Sequence, residues 1–314
     1  MKLKYAFSNG HGQKHFLAGL DKLGVRNDPP AVAAAKYHYM SNYLIGNVPM
    51  EYVRETDRKA WIRYLAPAWA FPGTGIIAVP ASVGLAALQG WIRYNGTWLG
   101  CPRLGFVCTK FQEYGDPYCE GYFIEYDENI SLEQALRFQP VSTSPEFDKD
   151  AAPKLDPVQW PEARLLRARR RYAESYAAAP AQVLVEAYGL PYASFLVTQA
   201  MLGLGTQYAR EIADRMGVSE RNASAIASIF LKVLNSLGDD AELARNGDEH
   251  RITRSTFSPF RGIYADEMYD AFFALFTGIL RVLTARVKLV RSVEKKDGQR
   301  TELWCLTDSD RRMF

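Results

Sequence analysis

Long apolar runs are missing from this chain: none reaches the roughly eighteen residues that a membrane-spanning helix requires. The opening stretch MKLKYAFSNGHGQKH also lacks the apolar segment and cleavage site of a secretory signal. A soluble, cytoplasmic protein is the expectation. Cysteine is scarce, with 4 in 314 residues, so a disulfide scaffold is excluded and each cysteine reads as a thiol or a metal ligand. Charge of one sign is lacking too. The 38 Lys and Arg against 35 Asp and Glu leave a net charge of +3, too mild to predict binding to nucleic acid or to an acidic membrane. No P-loop motif is present. What remains is 48% hydrophobic and 13% aromatic, enough to build a core for one large domain or two ordinary ones.

Two stretches of the chain share one pattern. HFLAGLDKLGVRNDPPAVAAAKYHYMSNYLIGN begins at His15, and QYAREIADRMGVSERNASAIASIFLKVLNSLGDD begins at Gln207. Each holds a helical run that ends at a Gly-Val pair, a charged turn, and a second helical run that ends at Gly46 or Gly238. Past each comes an extended segment, an apolar helix (from Ala81 or Asp266), and two strand-like runs turning near Gly115 and Gly298. The fold class expected is therefore α+β, a tandem pseudo-twofold repeat of a helix-helix-strand-helix-hairpin module, with residues 11–127 and 188–308 superposing. The first module takes residues 1–128 and the second 164–314. Residues 129–163, with five prolines from Pro140 to Pro161, read as a surface connector. The helix that follows carries Arg164, Arg167, Arg169, Arg170 and Arg171 and reads as a strut.

The Gly-Val turn has the cadence of a helix-turn-helix, but its second helix offers Ala223, Ala225, Ile226, Ala227, Ile229 and Phe230 where a DNA reader needs exposed donors. Neither nucleic acid nor a membrane is an expected partner. A small-molecule ligand is, and a homo-oligomer stays open.

Chemistry-bearing residues concentrate in the first module, which holds three of the four histidines and three of the four cysteines. Cys101, Cys108 and Cys119 with Glu113, Asp116 and Glu120 supply zinc-type donors, although gaps of seven and eleven residues are no zinc signature and buried thiols also serve as apolar filler. No cofactor is expected, zinc being the alternative. His11 and His15 have helical metal-ligand spacing, but the glycines around His11 point to a loop. His38, among Tyr37, Tyr39 and Tyr43, is either a core-edge histidine bonded to a tyrosine or a pocket acid or base. Cys108 or Cys119 could be a nucleophile that His38 activates. In VRETDRKAWIRYLAPAW, a strand would point Arg54, Thr56 and Arg58 one way and Glu55, Asp57 and Lys59 the other. That mixture suits either a surface strand or a pocket in which Arg58 pairs an anion while Trp61 and Trp69 stack on the ligand. Gly84 and Gly90 leave room for a ligand beside Trp91. The expected site is then a pocket in module one with His38 and Cys108 catalytic and Arg58, Trp61 and Trp91 binding substrate, while Phe272, Phe273 and Phe276 fill the equivalent space in module two.

The run CTKFQEYGDPYCEGYFIEY, with Cys108, Gly115, Asp116, Pro117, Tyr118 and Cys119, resembles the C-terminal hairpin of the 4-vinyl reductase domain and of the related L-2-amino-thiazoline-4-carboxylic acid hydrolase-like proteins. The second module writes KKDGQRTELWC in its place and lacks the Asp-Pro-Tyr-Cys sequence. The resemblance implies a small-molecule pocket, in some members with zinc held by cysteines and an acidic residue. Two functions are compatible with it. One is a hydrolase acting on a ring or amide-like bond of an aromatic or carboxylated compound. The other is a non-catalytic small-molecule-binding or sensory protein.

Overall fold

The computed structural model describes residues 2–45, 49–65, 80–257 and 265–314. Its fold is α+β, and the chain divides into two compact units, Met1–Tyr172 and Ala173–Phe314.

Unit 1 begins with α1 (Lys2–Leu23) and α2 (Pro30–Ile45). The hairpin β1 (Met50–Thr56) and β2 (Lys59–Tyr64) follows. Next come α3 (Ala81–Gly90), a 3-10 turn at Ile92–Tyr94 and the short α4 (Asn95–Leu99). The strands β3 (Leu104–Lys110), β4 (Cys119–Glu125) and β5 (Leu136–Phe138) complete a sheet of order β1-β2-β4-β3-β5, antiparallel except for the β3-β5 pair. A single core joins Phe16 and Leu20 of α1, Ala31 to Ala35 of α2, Ile62, Phe106 and Phe123 of the sheet, and Trp160.

The expected surface connector, residues 129–163, is mostly irregular but belongs to this unit. It supplies β5, buries Ala152 and Trp160 in the core, and gives the Pro145 carbonyl to Arg63. Its prolines prevent regular structure without preventing burial.

The helix α5 (Glu162–Tyr188) contains the division between the units and continues through Pro180. Unit 2 holds, in order, α6 (Leu190–Arg215), α7 (Ala223–Ser236), β6 (Ala241–Asn246), β7 (Glu249–Arg254), α8 (Asp266–Leu283), β8 (Val287–Lys296) and β9 (Gln299–Asp308), with no counterpart to α4 or β5 among the described residues. The sheet order β6-β7-β9-β8 matches β1-β2-β4-β3 of unit 1. Its core gathers Ile226, Phe230, Phe276, Ile279 and Trp304.

The Gly-Val corners have the same backbone form in both units. Gly24 and Gly217 are left-handed (φ 71° and 66°) and donate to the carbonyls of Asp21 and Asp214, while Val25 and Val218 donate to those of Leu20 and Ala213. A bond reaching back five residues over a left-handed glycine closes a helix with its last carbonyls satisfied. Among the described residues no helix is long and apolar enough to cross a membrane.

Candidate functional site

His38 sits on α2 under the sheet and is 5% exposed. The amide of Asn95 donates to the Trp91 carbonyl (3.1 Å), which turns its Oδ1 toward the His38 ring. His38 therefore donates from Nε2 to Asn95 Oδ1 (2.8 Å), leaving Nδ1 to accept from the Tyr64 hydroxyl at 3.4 Å. The ring stacks on Phe123 (5.5 Å between centroids) and lies 5.8 Å from Trp91. Burial pushes the imidazole down to about 4, against a smaller upward pull from the Asn95 bond. His38 is thus neutral at neutral pH, with both nitrogens engaged. His38 is a buried histidine whose short bond is to Asn95, and the tyrosine at its other nitrogen is Tyr64 rather than Tyr37, Tyr39 or Tyr43.

Cys108 lies on the helix-facing side of the same sheet, but its thiol donates to the Lys110 carbonyl (3.4 Å) and not to His38. Cys119 accepts from the Gln112 amide (3.4 Å) and donates to Glu113 Oε2 (3.7 Å). Burial, reinforced by the neighbouring carboxylates of Asp116 and Glu113, pushes both thiols up to about 12. A nucleophilic thiolate needs the opposite environment. Cys108, Cys119 and Glu113 are also the residues that a zinc ion implied by the family resemblance would use. Among the described residues, however, no three of His, Cys, Asp and Glu are grouped to hold a metal ion, so this donor set does not fit one.

The remaining expected site residues are dispersed. Trp61 is 5% exposed but belongs to the opposite face of the sheet, because Ala60, Ile62 and Tyr64 take the helix side of β2. Its indole donates to Glu55 Oε2 (2.6 Å), and its ring meets Tyr122 (4.6 Å) and Lys59 (4.9 Å). Arg58 is not on a strand. It occupies the tight β1-β2 turn, half exposed, donating to the Glu125 carbonyl (2.8 Å) and paired with Asp127 (2.8 Å). The mixed charge of VRETDRK is that of a hairpin end in water. Trp69 lies outside the described residues.

Nor do the glycines of α3 open a space for ligand. A Cβ on Gly84 would lie 2.0 Å from Glu113 Oε1, and one on Gly90 would lie 2.6 Å from the Tyr5 carbonyl of α1. Close helix packing consumes the room. Of the five expected site residues, the structure brings His38 and Trp91 together, keeps Cys108 on their side of the sheet, and separates Trp61 and Arg58 from them.

Three features escaped the sequence reading. The first is a buried carboxylate on the outer face of the sheet. Glu120, 2% exposed, accepts from Arg63 Nε (2.6 Å), Ser144 Oγ (2.7 Å), Thr109 Oγ1 (2.8 Å) and Lys110 Nζ (3.2 Å). Burial raises its pKa, but these donors outweigh burial and hold the carboxyl below the usual range. Lys110 also donates to Ser144 (2.8 Å), a Ser-Lys contact, yet Tyr118 and Glu120 hold the ammonium above its ordinary pKa despite burial, so it is no base. The cluster is an ion-pair hub that fastens residues 144–145 to the sheet. The second is the placement of His11 and His15 on α1, in a helix and not a loop. Gly12 belongs to that helix because a Cβ there would lie 2.2 Å from the Trp98 ring.

The third is a cleft of about 280 Å³ between α4 and residues 130–135, lined by Arg93, Thr97, Pro102, Leu104, Ile130 and Ser131 among others. Arg93 Nε donates to the Leu132 carbonyl (2.8 Å), which leaves the two terminal amino groups of the guanidinium. No carboxylate lines the cleft, and Arg93 makes no ion pair among the described residues. The available signal in the sequence was an arginine in an otherwise uncharged stretch, from Gly84 to Pro102.

No family model, curated protein or solved structure matches the chain.

Proposed function

We propose that this is a non-catalytic small-molecule-binding protein whose ligand is a compact carboxylate with an apolar body, seated beside Arg93 of unit 1. The carrying observation is an arginine without an acidic partner at the wall of a concave, partly apolar cleft. Three other arginines of the sheet and its turns are answered by carboxylates: Arg58 by Asp127, Arg103 by Glu125, Arg63 by Glu51 and Glu120. A free guanidinium fork accepts a carboxylate through two parallel charge-assisted bonds. Leu104, Ile130 and Pro102 offer hydrocarbon walls, and Thr97 and Ser131 offer hydroxyls for orientation. The hydrolase reading would place catalysis on His38 and Cys108, and the state of those groups argues against it: a neutral imidazole with both nitrogens occupied, and a thiol held protonated.

The test is a thermal-shift screen of small aromatic and aliphatic carboxylates, followed by calorimetry on the best binder with wild type and Arg93→Gln. The reading expects Arg93→Gln to weaken binding at least tenfold while leaving the melting temperature of the free protein within a degree or two. Equal affinity in the two proteins, or turnover of the bound compound that depends on Cys108, overturns it.

A further inference from the structure

We propose that β8 of unit 2 is the surface through which two copies of this chain associate. The two β8 strands pair antiparallel about a twofold axis at Val290, joining the two sheets edge to edge. β8 is the outer strand of its sheet, and among the described residues no strand pairs with its free edge.

An unpaired edge presents a row of backbone donors and acceptors that another chain can complete, and proteins ordinarily keep such edges short or covered. Here the edge is neither. β8 is 10 residues long, against 7 for β1 and 6 for β6, the edge strands on the other side of the two sheets. In unit 1 the strand at the same place in the sheet order, β3, has its outer edge closed by β5, with Phe106 opposite Leu136 and Cys108 opposite Phe138. The residues after β9 supply no such strand to β8, because Ser309 and Met313 donate to the carbonyls of Arg286 and Ala285, ahead of it. Val290 and Val293 are left 48% and 42% exposed.

The sequence of the strand selects a second copy as the occupant, and one register. A twofold axis through an antiparallel pair sets one residue of β8 opposite itself and keeps each side chain on its own face. With Val290 at the axis, the exposed valines of both copies meet, and Val293 falls opposite the second copy's Val287. Arg286 stands opposite the second copy's Glu294; both are exposed, and neither makes an ion pair among the described residues. Lys288 faces Ser292. Opposite charges across a strand pair stabilise it and like charges oppose it. Moving the axis by a residue loses this match: at Arg291 that guanidinium opposes itself, at Ser292 the ammonium of Lys288 opposes that of Lys296, and at Leu289 the valine at 290 faces Lys288. The surface is independent of the Arg93 cleft, which belongs to unit 1.

The test is sedimentation equilibrium on the full chain, whose weight-average mass should rise from one chain to two as its concentration is raised through the micromolar range. Val290→Lys, at an exposed position, should leave the melting temperature of the dilute protein unchanged and weaken association at least tenfold. Arg286→Glu and Glu294→Arg should each weaken it by setting like charges opposite one another, and the two together should restore it. Under mild oxidation Val290→Cys should give an intermolecular disulfide, since the axis sets that position against itself, and Ser292→Cys should not. A chain that stays monomeric at every concentration, association unmoved by Val290→Lys, or a double charge reversal that associates no better than either single one overturns the proposal.

Discussion

Replacing Gly205 by alanine should destabilise unit 2, although alanine is the better helix former, and the neighbouring Gly203→Ala should do the reverse. Both glycines lie inside α6, and helix propensity alone favours alanine by about 1 kcal/mol at each. At Gly203 nothing stands within 4 Å of the added carbon, so that gain is realised. At Gly205 the carbon would lie 2.0 Å from the Leu275 carbonyl oxygen of α8, where ordinary contact begins at 3.4 Å. The helices must then part by about 1.4 Å (3.4 − 2.0) against a backbone atom that no rotamer change can move. Gly278 sits across the same crossing, with its own Cβ position 2.5 Å from the Leu202 carbonyl, so the separation cannot be regained by sliding. Overpacking of this kind costs about 3 kcal/mol, and a gap of that width also forfeits a large part of the dispersion contacts along the interface. Net of propensity, Gly205→Ala should lose about 2 kcal/mol and Gly203→Ala gain up to about 1 kcal/mol. Urea denaturation followed by tryptophan fluorescence measures both, since Trp304 lies in the unit 2 core. If the two substitutions shift the midpoint in the same direction, the close crossing of α6 and α8 is not what holds this unit.

Phe276→Ala, at a fully buried position against Trp304, should cost about 3–5 kcal/mol in urea unfolding, and Phe273→Ala, which is half-buried under the Arg291 guanidinium, clearly less. Glu302, fully buried, accepts from Arg291, Arg300 and Trp304, and Glu302→Gln should cost about 3–5 kcal/mol by leaving those guanidiniums uncompensated. Burial raises the Glu302 pKa but the arginine bonds outweigh it, so the net shift is downward. Its contribution is complete above the ordinary value of 4.5 and is lost as pH falls below it, a loss that Glu302→Gln should lack in unfolding curves run against pH. His38 acts in a higher window. The unfolded chain takes a proton near 6.5 that the folded chain refuses until about 4, so stability should fall by about 3 kcal/mol between those values. His38→Gln, which can donate to Asn95 and accept from Tyr64, should flatten that slope; an unchanged slope would show that His38 takes up its proton in the fold.

The parts of the fold that were legible in the sequence are those written in local signals. Gly24-Val25 and Gly217-Val218 mark helix ends because only glycine adopts the left-handed turn cheaply, and the apolar runs after them mark α2 and α7. The hairpin turns near Gly115 and Gly298 are local in the same way. What misled the reading depends on contacts distant in sequence. Gly12, Gly84 and Gly90 look like breaks or vacancies, but each is small because another chain segment, Trp98, Glu113 or Tyr5, already occupies the space. Trp61 and Ile62, adjacent on β2, are both buried because the strand is covered on both faces, so alternation carries no sign of which side is the interior. The Glu120 hub could not be read at all, since its donors Arg63 and Ser144 lie 57 and 24 residues away.

Matching the two sheets by strand order and register shows where ionisable chemistry has been closed off. The β2-β4 pair Tyr64-Cys119 stands where the β7-β9 pair Arg254-Glu302 stands, and Cys108, opposite Gly121, stands where Arg291, opposite Trp304, stands. Unit 1 thus fills these helix-side positions with neutral groups: a phenol and two protonated thiols. Unit 2 fills them with charges paired internally, Arg254 with Asp239 at 2.6 Å and Arg291 with Glu302 at 3.0 Å, although Arg254 Nη1 is buried without a hydrogen-bond partner among the described residues. Trp304 takes the place of Gly121 and is ringed by Phe276 at 4.7 Å and Phe273 at 4.9 Å. Both solutions keep unpaired ions out of these positions, because a buried ion without a partner costs more than a fold of this size can spare. The proposed carboxylate ligand therefore calls for an arginine outside these closed positions, and Arg93, at the wall of a cleft in unit 1, is one that makes no ion pair among the described residues.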